Sequence, residues 1–331
     1  MLSAKDYVGL YAIIPTPAKA GANRLDARNT VDLDESARLV NALIADGATG
    51  LIALGTTGEC ATLSQEDYET FVDCLLQTVN RRIPTFIGTS ALGGHQVAAR
   101  MRFIRERGAD GTLLGLPQWQ PVTTEMAVDF YKQVSACFPE IAVMVYANAR
   151  AFRYSFPVEF WQAVAREAPT VTSAKFSRPK NLGELLEKTG NRIHFMPNEM
   201  TVEEFYRKAP DTTTSCWATA AGMGPSPAIA LMDAILAKDE DAIPRISAEL
   251  AWANEPLHAI IGNPEIFAST NIQVEKTRIN EAGYCRAGPI RSPYDHLPAE
   301  YDAASRECGR RWATLREKYS AAGRRPARKA S

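Results

Sequence analysis

The chain predicts a (β/α)8 TIM barrel carrying a C-terminal helical extension. Short apolar runs alternate with longer amphipathic ones, eight times over, before about residue 225. Strand-like runs separated by helix-like ones imply parallel pairing. Eight such units over about 220 residues fit a barrel whose usual length is roughly 250. A doubly wound sheet is the competing architecture, and it would carry a glycine-rich phosphate loop after a strand. Gly55-Thr56-Thr57-Gly58 follows a strand-like run but lacks the GxGxxG spacing and the lysine of such a loop. The expected organisation is a barrel over residues 1–224 and an extension over residues 225–331.

Each element has its own signal. Residues 8–14 read as a strand that stops at Pro15-Thr16-Pro17. Residues 34–46 read as a helix, with Ala37, Val40, Leu43 and Ile44 on one stripe. Residues 50–54 form the second strand. Ser64 opens a helix, and Asp67 three positions on predicts a capping box. Residues 84–88 are a strand, and residues 96–107 a helix with Gly108 suited to its C-terminal cap. Strands follow at 111–114, 141–146, 171–175, 193–196 and 212–217. Helices fall between them at 124–138, 158–167, 182–188 and 202–208. Beyond residue 225 the strands stop, and residues 228–237, 242–254 and 301–319 read as helices.

Composition narrows the function. Of 331 residues, 46% are hydrophobic and 23% charged, an ordinary soluble balance. A net charge of −1 gives no electrostatic case for nucleic acid as the main partner. Arg324, Arg325, Arg328 and Lys329 make a short basic tail, read as a terminus rather than a binding arm. The cysteines at 60, 74, 137, 216, 285 and 308 form no CxxC pair and no zinc-like cluster. No metal is therefore expected. Reduced thiols, a non-secretory N-terminus and no apolar run of membrane length lead us to expect a cytoplasmic protein without membrane contact.

Lys175 is the most informative residue. It closes the strand-like run at 170–176, although lysine is rarely buried without compensation. A lysine there is snorkelling to water, paired, or reactive. Desolvation disfavours the ammonium, and a neutral amine attacks ketones to form a Schiff base. In a barrel the active site lies at the C-terminal ends of the strands. That rim collects Gly55, Thr56, Thr57, Gly58 and Glu59 after the second strand, and Trp119 after the fourth. It also holds Tyr146 and Asn148 at the fifth, Lys175 at the sixth, Asn198 and Glu199 at the seventh, and Trp217 at the eighth. Taken singly, Tyr146 and the tryptophans read as core, Thr56 as a turn residue and Glu59 as a helix cap. Together, polar groups delivered to one rim are poorly explained by packing.

Gly55-Thr56-Thr57-Gly58-Glu59, Tyr146-Ala147-Asn148 and Ala174-Lys175 resemble the motifs of the dihydrodipicolinate synthase/N-acetylneuraminate lyase superfamily of class I pyruvate aldolases. Further stretches are similar to one branch of it. These are Gly115-Leu116-Pro117-Gln118-Trp119, Ala151-Phe152, Phe160-Trp161, Asn271-Ile272 with Glu275-Lys276 and Arg278, and Ala287-Gly288-Pro289. That branch is the trans-o-hydroxybenzylidenepyruvate hydratase-aldolases and their carboxybenzalpyruvate relatives.

The resemblance implies that Lys175 forms the Schiff base and that Tyr146 shuttles protons. It implies that Thr56 and Thr57 hold the pyruvoyl carboxylate in a loop that Gly55 and Gly58 let approach closely, and that Trp217 and Asn271 recognise the aryl group; Trp119 on the same rim is a further expected substrate contact. Trp119 stands where dihydrodipicolinate synthases supply a second tyrosine across a dimer interface. Ala149-Arg150-Ala151-Phe152 departs from their arginine motif, and both differences favour an aryl substrate over aspartate semialdehyde. The expected ligands are an arylidene pyruvate, pyruvate and an aromatic aldehyde, with no cofactor, in a homotetramer. The alternatives are another pyruvate aldolase or synthase of the superfamily, and a barrel that binds a keto acid without chemistry.

Overall fold

The computed structural model describes residues 1–178 and 180–322, so the basic tail lies outside the described residues. In chain order the first half runs β1 (Gly9–Ile13), α1 (Leu33–Ala45), β2 (Gly50–Ala53), α2 (Gln65–Val79), β3 (Thr85–Gly88), α3 (Gly94–Glu106), β4 (Gly111–Leu114), α4 (Thr124–Cys137) and β5 (Ala142–Tyr146). It continues with α5 (Ala149–Phe152), α6 (Val158–Glu167), β6 (Val171–Lys175), α7 (Leu182–Thr189), β7 (His194–Met196), α8 (Val202–Lys208) and β8 (Ser215–Ala218). The remainder is helical: α9 (Ser226–Leu236), α10 (Ala242–Asn254), α11 (His258–Ile261), α12 (Pro264–Ala282) and α13 (Ala299–Ala322).

The eight strands form one sheet in the order β7-β6-β5-β4-β3-β2-β1-β8, every pair parallel. Closure comes just past β7. The Trp217 N–H donates to the Pro197 carbonyl at 2.9 Å, and the Glu199 N–H donates to the Trp217 carbonyl at 3.1 Å. The fold is a (β/α)8 barrel with C-terminal helices, as the alternating pattern predicts. No described helix is long and apolar enough to cross a membrane.

The barrel strands are buried almost throughout, because helices cover their outer faces and side chains fill the interior. The apolar core runs on into the C-terminal helices through Leu231, Ile243, Leu250 and Trp312. The Trp312 indole is fully buried and donates to the Gly224 carbonyl at 3.0 Å. Truncating such a side chain typically costs about 3–5 kcal/mol, so α13 is bound to the barrel end of the chain.

Two local expectations need correction. Ser64 caps α2 by accepting from the Asp67 N–H at 3.1 Å, but Asp67 does not return the bond. Its carboxylate accepts instead from the Thr30 N–H and hydroxyl, at 3.0 and 2.7 Å. A buried hydroxyl and amide outcompete the Ser64 N–H. The second concerns α12, nineteen residues that hydrophobic periodicity does not predict. Its buried positions include Thr270, Gln273, Glu275, Lys276, Thr277 and Arg278. Because these polar residues are buried together with Ile272, Val274 and Ile279, the helix shows no continuous apolar stripe, and periodicity cannot find it.

Candidate active site

Lys175 ends β6 and Tyr146 ends β5, and the two are direct cross-strand partners. A register shift makes them so. Val143 pairs with Val171, but Met144 pairs with Ser173, so β6 carries one extra residue, Thr172, at a bulge. Without it Tyr146 would face Ala174. The Thr172 hydroxyl is engaged with the Tyr7 hydroxyl at 2.7 Å, which secures the bulge inside the barrel.

The Lys175 amine lies between aromatic faces. Its Nζ is 3.3 Å from the Trp217 ring centroid and 5.0 Å from that of Tyr146. Trp217 is buried on β8, its indole N–H donating to the Met196 carbonyl at 3.1 Å. No carboxylate pairs with Lys175 among the described residues. Burial lowers the Lys175 pKa, partly opposed by Tyr146, Glu199 and Glu275. Burial pushes the Tyr146 phenol up, but the Lys175 charge and bonds from Thr56 and Asn148 outweigh it, so its pKa is lowered. That lowering depends on a charged Lys175, so the two protons are coupled.

The loop after β2 meets this pair. The Thr56 and Tyr146 hydroxyls are 2.8 Å apart, and Asn148 Nδ2 donates to the same phenol at 3.4 Å. Thr57 is buried next in the chain. Gly55 lies against this pair: a Cβ there would crowd Leu113 Cδ2 at 3.2 Å and come into contact with the Tyr146 ring at 3.7 Å. At Gly58 a Cβ would lie 2.7 Å from the Leu54 nitrogen, so the loop can fold back on itself only with glycine. Gly55, Thr56, Tyr146, Lys175 and Trp217 thus come together as one cluster.

Asn271 sits partly buried on α12, one turn beyond Phe267. The Arg150 guanidinium lies 4.6 Å over the Phe267 ring, which ties α12 to α5 at the C-terminal end of β5. Trp119 is not brought into the cluster. Arg153 Nη2 donates to the carbonyls of Gln118 and Trp119 at the surface, and Trp119 is 77% exposed. The sequence places Trp119 correctly on the loop after β4, but only the chain's path decides where its side chain points.

Two acidic residues on this rim behave differently. Glu59 is buried against Lys276 and Arg291. Glu199 is buried beside Asn198, which donates to it, and burial pushes its pKa up to about 7 against the pull of Arg278. The sequence places both on the rim but not their surroundings, because the pairing of Glu59 and the burial of Glu199 depend on residues far along the chain. Tyr284 lies elsewhere: its hydroxyl donates to Asp46, the residue that caps the C-terminal end of α1, at 2.8 Å.

Comparison with known proteins identifies the family. Residues 19–194 match the dihydrodipicolinate synthetase family. A trans-O-hydroxybenzylidenepyruvate hydratase-aldolase of Pseudomonas putida is 38% identical over 96% of this chain and 97% of its own. A trans-2'-carboxybenzalpyruvate hydratase-aldolase of Nocardioides sp. (strain KP7) is 35% identical over 97% of each chain. The solved structure of PhdJ bound to a substrate intermediate superposes with a TM-score of 0.92 at 34% identity, over 96% of this chain and 99% of that one. The family match over more than half of the chain and these near-full-length relatives place the chain in the dihydrodipicolinate synthetase family, among its hydratase-aldolases.

Proposed function

We propose that the protein is a class I pyruvate aldolase that hydrates and cleaves a trans-benzylidenepyruvate bearing an o-hydroxy or o-carboxy group. The products are an aromatic aldehyde and pyruvate. The observation that carries this reading is Lys175 held against Trp217 and beside Tyr146, whose hydroxyl meets Thr56. A desolvated amine without a carboxylate partner is the nucleophile that Schiff-base chemistry needs.

The Lys175 amine adds to the keto carbon, and Tyr146 carries protons to and from the carbinolamine as water leaves. Thr56 and Thr57 hold the carboxylate. The resulting iminium draws electrons through the conjugated alkene and makes the carbon beside the ring electrophilic. Water adds there, its oxygen bonding to that carbon and its proton reaching the adjacent one. Tyr146 then takes the proton of the new hydroxyl. The carbon–carbon bond breaks, its electrons pass into the iminium, and the aldehyde departs. Protonation and hydrolysis of the enamine release pyruvate and restore the amine. One lysine thus serves both as activator of the alkene and as electron sink, so the chemistry calls for no added cofactor.

Trp217 and Asn271 are the proposed aryl contacts. The family resemblance supports a homotetramer, and exposed Trp119 is apolar surface that such an assembly would cover. Unpaired thiols at all six cysteines are compatible with a cytoplasmic location. The test is borohydride reduction in the presence of pyruvate followed by mass analysis. A single reduced pyruvyl adduct on Lys175 is expected. An unmodified Lys175 under conditions that trap a reference class I aldolase overturns the proposal.

A further inference from the structure

The loop that meets Tyr146 is gripped from behind by charge. Glu59 is buried, its backbone N–H donates to the Thr56 carbonyl at 2.9 Å, and its φ is +54°. Leu54, at the other end of the loop, has a φ of +60°. Left-handed backbone at two non-glycine residues costs free energy and persists only where surroundings enforce it. The surroundings are explicit. Lys276 Nζ, fully buried on α12, donates to Glu59 Oε2 at 2.8 Å and to the Pro289 carbonyl at 2.7 Å. The Arg291 N–H donates to Glu59 Oε1 at 2.8 Å, and its guanidinium pairs with Oε2.

The grip extends further. Arg291 Nη1 donates to the Thr16 carbonyl at 3.0 Å, and the Thr16 hydroxyl donates to the Gly58 carbonyl at 2.8 Å. Arg291 Nε donates to the Thr30 hydroxyl at 2.9 Å, which in turn bonds Asp67 in the first turn of α2. The loop is thereby held at the Gly58 carbonyl by a hydroxyl and at the Glu59 carboxylate by two cations. Both cations come from residues more than two hundred positions later in the chain.

We infer that Lys276, Arg291 and Thr16 are positioning residues for the Thr56–Thr57 turn, so that α12 and the segment after it set the affinity of the pyruvoyl-carboxylate site. None of them touches the reacting atoms. They act through Glu59 and Gly58 on a turn whose backbone would otherwise relax. The inference rests on the reading of Thr56 and Thr57 as the carboxylate grip.

The test compares variants by the pyruvate concentration that gives half-maximal borohydride trapping at Lys175. Lys276→Met leaves Glu59 paired with Arg291 and should raise that concentration about 10-fold. Thr16→Val removes one neutral bond to the same loop and should raise it about 3-fold. Leu250→Ala, in the core face of α10, serves as a control for stability loss alone and should leave it within 2-fold. All are measured well below their melting temperatures, and the pH profile of trapping should stay that of the wild type. Half-saturation within 2-fold of wild type in folded Lys276→Met and Thr16→Val overturns the inference. If Lys276→Met does not fold, Thr16→Val alone decides it. Equal loss in Leu250→Ala also overturns it, since stability rather than positioning would then be responsible. No trapping in the wild type defeats the Schiff-base reading and the inference with it.

Discussion

Lys175 and Lys276 are two lysines in protein surroundings at the same rim of one barrel, with opposite fates. Burial lowers the pKa of both. Lys276 is fully enclosed and spends its protons on Glu59 and the Pro289 carbonyl. Lys175 is partly accessible and faces the rings of Trp217 and Tyr146 instead. An aromatic face attracts an ammonium but takes no proton from it and leaves the lone pair of the neutral amine free. A carboxylate fixes the charge. Burial alone therefore does not make a lysine a nucleophile: the partner and the access do.

The sharpest way to break this contrast is to exchange the two losses. Lys175→Ala should abolish both trapping and cleavage of any arylidene pyruvate, whereas Lys276→Met should retain cleavage at saturating substrate. Residual cleavage in Lys175→Ala, followed by loss of conjugated absorbance, would assign the chemistry elsewhere. The next effect concerns the phenol beside Lys175. Tyr146→Phe should slow cleavage by about 10²-fold or more, the usual scale for a lost general acid–base group. An unchanged rate would remove Tyr146 from the proton path.

Trp217→Ala removes the ring under the Lys175 amine. It should lower kcat/KM for an aryl substrate about 10-fold more than it raises half-saturation by pyruvate. Equal effects on the two would count against an aryl contact. The smallest effect tests why Glu199 does not do for Lys175 what Glu59 does for Lys276. Glu199 is held up to about 7, so it is largely neutral below that pH. Its folded pKa lies above the unfolded value near 4.3. Its stabilising contribution is therefore full below about pH 4 and is lost as pH rises through about 7. Glu199→Gln should remove that slope, gaining on the wild type by roughly 1–3 kcal/mol between pH 4 and pH 8. Parallel stability curves, measured by denaturant unfolding, would show that Glu199 is charged and paired.

The barrel was legible because its elements obey simple periods. Eight apolar runs with amphipathic helices between them leave few other topologies, and the rim position of Lys175, Tyr146, Thr56, Thr57 and Trp217 follows from strand ends alone. Helix α12 was not legible, because it buries Gln273, Glu275, Lys276 and Arg278 among Ile272, Val274 and Ile279, which breaks any apolar stripe. Charged residues can be buried there only because partners arrive from elsewhere: Glu59 for Lys276, and Asn254 and Thr219 for Arg278 in addition to its neighbour Glu275. No local pattern encodes those meetings. Trp119 shows the same limit from the other side, since a loop residue's place in order says nothing about its direction.

By itself the sequence determined which residues reach the active rim, since period and strand order are local properties of the chain. Only the tertiary structure decided which of them meet. The bulge at Thr172 sets Tyr146 opposite Lys175 rather than Ala174. The long-range pairing of Glu59 with Lys276 and Arg291 turns one rim carboxylate into scaffold. Register and burial are properties of the assembled barrel, and they separate the amine that can react from the amine that only holds.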